Sequence, residues 1–139
     1  MSKGPSFVTV RSEAISRESK TESLLGKYST YAQAASSDAT SQEKHLDEQI
    51  EKLLGERQDI IDNLTKIAED TPNISASKQS QLQRHREILQ EHWKNFRGIR
   101  SSIQQERNRL NLLFSVKNDI AQQQQATDNE LFNDEEAYN

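Results

Sequence analysis

The chain contains no cysteine among its 139 residues. Neither a disulfide framework nor a thiolate metal site is open to it, and a reducing compartment is its natural setting. Long apolar runs are missing as well: no window approaches the roughly 18 continuous apolar residues of a membrane-spanning helix. Met1 to Pro5 lacks the apolar segment of a secretory signal, so a soluble chain is expected. There is no glycine-rich phosphate loop, no nucleophile elbow and no pair of carboxylates set for a concave site, so no enzyme and no cofactor are expected. Of the three histidines, His85 and His92 lie seven residues apart, two turns along one helix face. That is too far for one metal ion, since helical pairs of metal ligands sit four apart with a third ligand nearby. No metal is expected.

What the chain does have is periodicity. Apolar residues make up 32% and charged residues 29%, with a mean hydropathy of −0.98. This is polar for a compact globule but ordinary for long helices that each bury a narrow stripe. Three stretches repeat apolar residues at alternating three- and four-residue steps. The middle one is the cleanest: Leu46, Ile50, Leu53, Arg57, Ile60, Leu64 and Ile67. The first reads Phe7, Val10, Ala14, Thr21, Leu25, Tyr28, Ala32 and Ala35, and is thinner and more polar. The third reads Leu82, His85, Leu89, Trp93, Phe96, Ile99, Ile103, Leu110, Phe114 and Ile120, widened by Ile88 and Leu113. A lone helix cannot hide such a stripe from water, so three joined by short connections must pack together. The expected fold is an all-α, antiparallel up-down-up three-helix bundle with an overlong third helix.

Local signals set the boundaries. Ser6 after Pro5 is a good N-cap, and Thr40 with Glu43 has capping-box spacing. Thr71-Pro72-Asn73 ends the second helix, because the residue before proline is pushed out of the α region. Ser75 or Ser77 caps the third. The expectation is a flexible N-terminus over 1–5 and a domain over 6–121, with helices at about 6–36, 41–70 and 76–121. An acidic flexible linker over 122–139 follows, because that segment has no apolar period. Gly26, Gly55 and Gly98 each fall near the middle of a helix, as tolerated surface positions or as sites of bending or close approach.

The formal net charge of −4 conceals an uneven arrangement. Residues 43–70 carry −5, residues 78–121 carry +5 and residues 122–139 carry −5, so helices two and three are oppositely charged. Arg57 is the sharp local anomaly, standing at the centre of an apolar stripe. A buried guanidinium must snorkel outward or meet a carboxylate. If helices one and two fold back at residues 38–40, Arg57 lies within one turn of Glu18 and Glu22, and an ion pair with either is expected. Leu112 points away from the third stripe with Lys94 on its side, and Arg109 also faces outward. Leu112, Lys94 and Arg109 are the candidate partner-binding residues. A nucleic-acid surface is not expected, because the basic residues of helix three are interrupted by Glu87, Glu91 and Glu106, and the pI is near 5.4.

Several segments resemble one family throughout. They include Pro5-Ser6-Phe7-Val8-Thr9, residues 21–30, Gly55-Glu56-Arg57-Gln58-Asp59-Ile60-Ile61-Asp62, Ile74-Ser75-Ala76-Ser77-Lys78, Leu82 to Gln90 and Ser101 to Ile120. In one register from Pro5 to Ile120 these look like the N-terminal, Habc-type region of a fungal Golgi Qb-SNARE of the Gos family. The resemblance implies a cytosolic-face Golgi membrane protein whose SNARE motif and apolar anchor follow a linker. This sequence stops in that linker and is expected to be an excised domain without membrane contact of its own. Other Golgi SNAREs would be partners through the absent SNARE motif, with a tethering complex or a Sec1/Munc18-type protein as candidates for this region. The expected role is regulation of vesicle fusion in ER-to-Golgi and intra-Golgi transport. The rival reading is a structural coiled-coil protein that dimerises through its third helix.

Overall fold

A computed structural model describes the backbone of residues 6–138 and the side chains of residues 6–127. Residues 1–5, expected to be flexible, lie outside the described residues. Three helices form: α1 (Phe7–Gln33), α2 (Ser41–Asp70) and α3 (Ala76–Tyr138). There is no strand among the described residues.

Each helix starts where a side chain takes over an orphaned amide. Ser6 Oγ accepts from Thr9 N at 3.2 Å, Thr40 Oγ1 from Glu43 N at 3.1 Å, and Ser75 Oγ from Lys78 N at 3.1 Å. Such caps contribute about 1 kcal/mol each. Between α2 and α3 the chain turns through Asn73, which has φ 58°, a left-handed conformation that asparagine tolerates.

Cross-helix contacts fix the topology. Glu18 and Thr21 of α1 meet Arg57 of α2, and Tyr28 meets Asp47 further along, so α1 and α2 are antiparallel. Thr65 meets Arg86, and Glu43 meets Arg107, so α2 and α3 are antiparallel too. Along α1 and α3 the numbers rise together, from Glu18–His85 to Tyr28–Phe96, so these two run parallel. This is the expected up-down-up bundle. Its core buries Phe7, Val10 and Leu25 from α1, Ile50, Leu54 and Leu64 from α2, and Leu82, Leu89, Phe96 and Ile103 from α3.

The loop between α1 and α2 lies against α3, where Arg107 Nε donates to Ser36 O at 3.0 Å and Asn111 Nδ2 to Ser37 O at 3.3 Å. Beyond Asn111 none of the described α3 side chains is buried. Phe114 and Ile120, placed on the inward face by the pattern, are therefore exposed, as are Leu113 and Val116. The stripe continues in sequence, but none of the described residues covers it.

Where a flexible linker was expected over 122–139, the α3 backbone stays helical to Tyr138. The physical reason lies in composition. After Gly98 the chain has neither glycine nor proline, and glutamine, alanine, glutamate and leucine are good helix formers without any apolar stripe. At about 1.5 Å per residue the 63-residue α3 is about 95 Å long.

Gly26, Gly55 and Gly98 are explained by open space: a methyl group at any of the three would meet nothing within 4 Å. They mark tolerated surface positions, not close helix approach.

Candidate functional site

The most unusual feature is a polar layer across the middle of the bundle. Arg57 is only 2% exposed. Its Nη1 donates to Thr21 Oγ1 at 3.2 Å and to His92 Nδ1 at 2.6 Å, and its Nη2 lies 3.8 Å from Glu18 Oε1. Glu18 is also bonded to His85 Nδ1. Glu22 sits 3.7 Å from His92 Nε2 and acts on Arg57 through its field. Thr21 stays satisfied on its own helix, donating to Arg17 O at 2.6 Å. One guanidinium thus draws together all three helices.

The geometry fixes proton positions. Arginine can only donate, so His92 must present a lone pair at Nδ1 and carry its proton on Nε2, towards Glu22. Burial and then the neighbouring Arg57 cation push the His92 pKa below its ordinary value, against the opposing fields of Glu22 and Glu18. Burial likewise lowers Arg57, with Glu18 and Glu22 opposing, but a guanidinium remains charged.

A second polar cluster lies nearer the α1–α2 loop. Arg100 grips Asp47 with both Nε, at 3.0 Å, and Nη2, at 2.8 Å, while Tyr28 donates its hydroxyl to the same carboxylate. Burial alone would raise the Asp47 carboxyl, but the hydrogen bonds from Arg100 and Tyr28 hold it below its ordinary range. Burial, reinforced by the Asp47 charge, raises the Tyr28 hydroxyl well above its usual value. Arg100 also stacks over Phe96, 4.3 Å from the ring centroid. Two turns further along α3, Arg107 Nη2 bonds Glu43 at 2.5 Å.

The candidate partner-binding residues do not form one patch. Leu112 is 67% exposed and lies on the overhang. Lys94 is exposed on the same side, but 18 residues away, or about 27 Å along the axis. Arg109 is held by its own helix, with Nε 3.1 Å from both oxygens of Glu106.

The sequence did not point to His85 and His92 as partners of Arg57 and Glu18. The available signal was a polar residue interrupting each stripe: Thr21 in α1, Arg57 in α2, His85 in α3. Three such interruptions brought to one level make a layer.

Among the described residues no group of three or more His, Asp or Glu side chains could hold a metal ion, and no helix is long and apolar enough to cross a membrane. The hollows are open furrows between helices, and most buried polar groups are engaged with one another. These features define an all-α three-helix bundle that fixes its own register and presents helix surfaces to its surroundings.

Comparison with known proteins narrows that class. The family described as GOSR1 N-terminal domain matches residues 6–124, and the chain belongs to it. The chain is 70% identical over 121 residues to Golgi SNAP receptor complex member 1 of Saccharomyces cerevisiae, covering 87% of this chain and 54% of that protein. It is 34% identical over 79 residues to Golgi SNAP receptor complex member 1-2 of Arabidopsis thaliana, covering 57% of this chain and 30% of that protein. The chain therefore spans about half the length of the yeast relative and about a third of the plant one. No solved structure matches.

Proposed function

We propose that this bundle is the non-catalytic N-terminal interaction domain of a Golgi SNARE, held at the cytosolic face of the Golgi membrane. It acts in vesicle fusion for ER-to-Golgi and intra-Golgi transport, recruiting a tethering complex or a Sec1/Munc18-type protein, or modulating the assembly of partner SNAREs. The observation that carries this reading is the 70% identity to yeast Golgi SNAP receptor complex member 1 across the bundle. The architecture supports it: the helices satisfy one another internally, so their outer faces are free to hold other proteins. The test is a domain exchange in yeast. Golgi SNAP receptor complex member 1 carrying this chain in place of its own N-terminal segment should support Golgi glycosylation of secreted cargo at the normal rate. Removal of the segment should slow transport and alter co-precipitation with other Golgi SNAREs. Normal transport and SNARE assembly after removal would refute the proposal.

A second reading, a structural protein dimerising through α3, is favoured by the exposed Leu112, Leu113, Phe114, Val116 and Ile120 beyond the bundle. Light scattering separates the two, because that reading requires a dimer at micromolar concentration.

A further inference from the structure

We infer that the furrow between α1 and α3, at the end of the bundle where both helices begin, seats an acidic amphipathic helix of a partner protein. This inference rests on the recruiting role proposed above and gives it a place and a chemistry.

The furrow has helical walls. Arg11, Ile15 and Glu18 follow one another at three- and four-residue steps along α1, and Gln81, Arg84 and Ile88 do the same along α3. The hollow between them has a volume of about 570 Å³ and extends from Ser77 to Ile88 on α3, about three turns. Two parallel helices with these spacings leave a seam into which a further helix can pack. The seam is partly apolar: Ile15 is 45% exposed and Ile88 half-buried, and Val8, 66% exposed, lies two turns before Ile15 on the same face of α1. Apolar residues at seven-residue spacing, Val8 and Ile15, are the periodicity that an amphipathic helix complements.

Hydrogen-bonding capacity is also left over here. Only three buried side-chain atoms among the described residues have no hydrogen-bond partner. One is Arg57 Nη2, which faces Glu18 at 3.8 Å. The other two, Arg11 Nε and His85 Nε2, belong to residues lining this hollow, and His85 is 3% exposed. Buried polar groups in native structures are normally paired, and Arg11 Nε, a donor, is the one of the two that a carboxylate satisfies.

Charge selects the partner. Glu18, the acidic group of the lining, is already engaged with His85 and Arg57. Arg11 and Arg84 make no ion pair among the described residues. The free charge of the furrow is therefore positive, and carboxylates flanking the apolar ridge of the incoming helix would meet it.

The experiment titrates the isotope-labelled 139-residue chain with a synthetic amphipathic helix bearing leucine at seven-residue spacing and glutamate on its flanks. A control peptide carries lysine in place of each glutamate. The glutamate peptide should saturate with a Kd on the order of 100 μM or tighter. Amide shifts should be confined to residues 8–18 and 77–88, and binding should weaken as salt is raised. Arg84→Glu should weaken binding about tenfold, and Arg11→Glu with Arg84→Glu further still. Lys52→Glu, exposed on α2 and away from the furrow, should leave it unchanged. Arg84 is exposed, so its single variant remains informative if the double variant fails to fold. Equal binding of both peptides, no saturable binding, or shifts centred elsewhere would overturn the inference. So would concentration-dependent shifts at the same amides without peptide, which would mean that a second copy fills the furrow. Such failures would leave the Golgi role, read by the domain exchange, standing.

Discussion

Exchanging Arg57 for methionine tests how the polar layer is held. The guanidinium makes two hydrogen bonds and lies 3.8 Å from Glu18. Methionine of similar length removes the cation and with it the burden of keeping a charge away from water. Thr21 still donates to Arg17 O, and Glu18 still has His85. The group left stranded is His92 Nδ1, and a buried unsatisfied acceptor costs about 1–3 kcal/mol. Arg57→Met should therefore destabilise the bundle by about 2 kcal/mol. Adding His92→Leu, which removes the stranded acceptor, should recover most of that loss. Glu18→Gln acts in the opposite sense: it leaves the buried cation without its nearest carboxylate and should cost about 3 kcal/mol, the low end for breaking a buried pair. Urea unfolding followed by circular dichroism measures all four proteins. The reasoning is refuted if Glu18→Gln proves milder than Arg57→Met, or if the double variant is no better than the single one.

Three further outcomes are expected. His92 has a folded pKa below its unfolded value near 6.5. The unfolded chain therefore takes up its proton first, so stability is full above about pH 6.5 and declines as pH falls towards the folded pKa. The slope from this group is at most about 1.4 kcal/mol per pH unit, and the difference in unfolding free energy between the parent and His92→Gln from pH 7 to 5 measures it. Gly55→Ala and Gly98→Ala should each stabilise by about 1 kcal/mol, because the added methyl groups meet nothing. A fall in melting temperature in either would show that the helix bends there. Leu112→Asp should change stability by less than about 0.5 kcal/mol, since Leu112 stands clear of the bundle, and a larger loss in thermal unfolding would reveal a contact.

Much of this architecture could be read from the chain. The three stripes were legible because helical period is a local property, and Ser6, Thr40 and Ser75 because a cap involves residues three apart. Partnership across helices was less so. Thr40 and Glu43 have capping-box spacing, yet the Glu43 carboxylate goes to Arg107, 64 residues away. Arg57 announced itself by interrupting a stripe, whereas His92 became its neighbour, and His85 that of Glu18, only through the relative rotation and height of α3. At the tail, an absent apolar period says that a segment has nothing to pack against, not that its backbone leaves the helix, which runs to Tyr138. The furrow between α1 and α3 was invisible for lack of any single-residue signature, being a property of the space two helices leave.

The uninterrupted course of α3 ties its two ends together in angle as well as distance. Each residue turns the helix by about 100°, so inserting one residue between Leu112 and Thr127 would swing everything beyond it to a different compass bearing about the bundle. Inserting seven, nearly two full turns, would restore the bearing and lengthen the rod by about 10 Å. A change of length along this segment is thus also a change of direction, which it would not be along a loose tether.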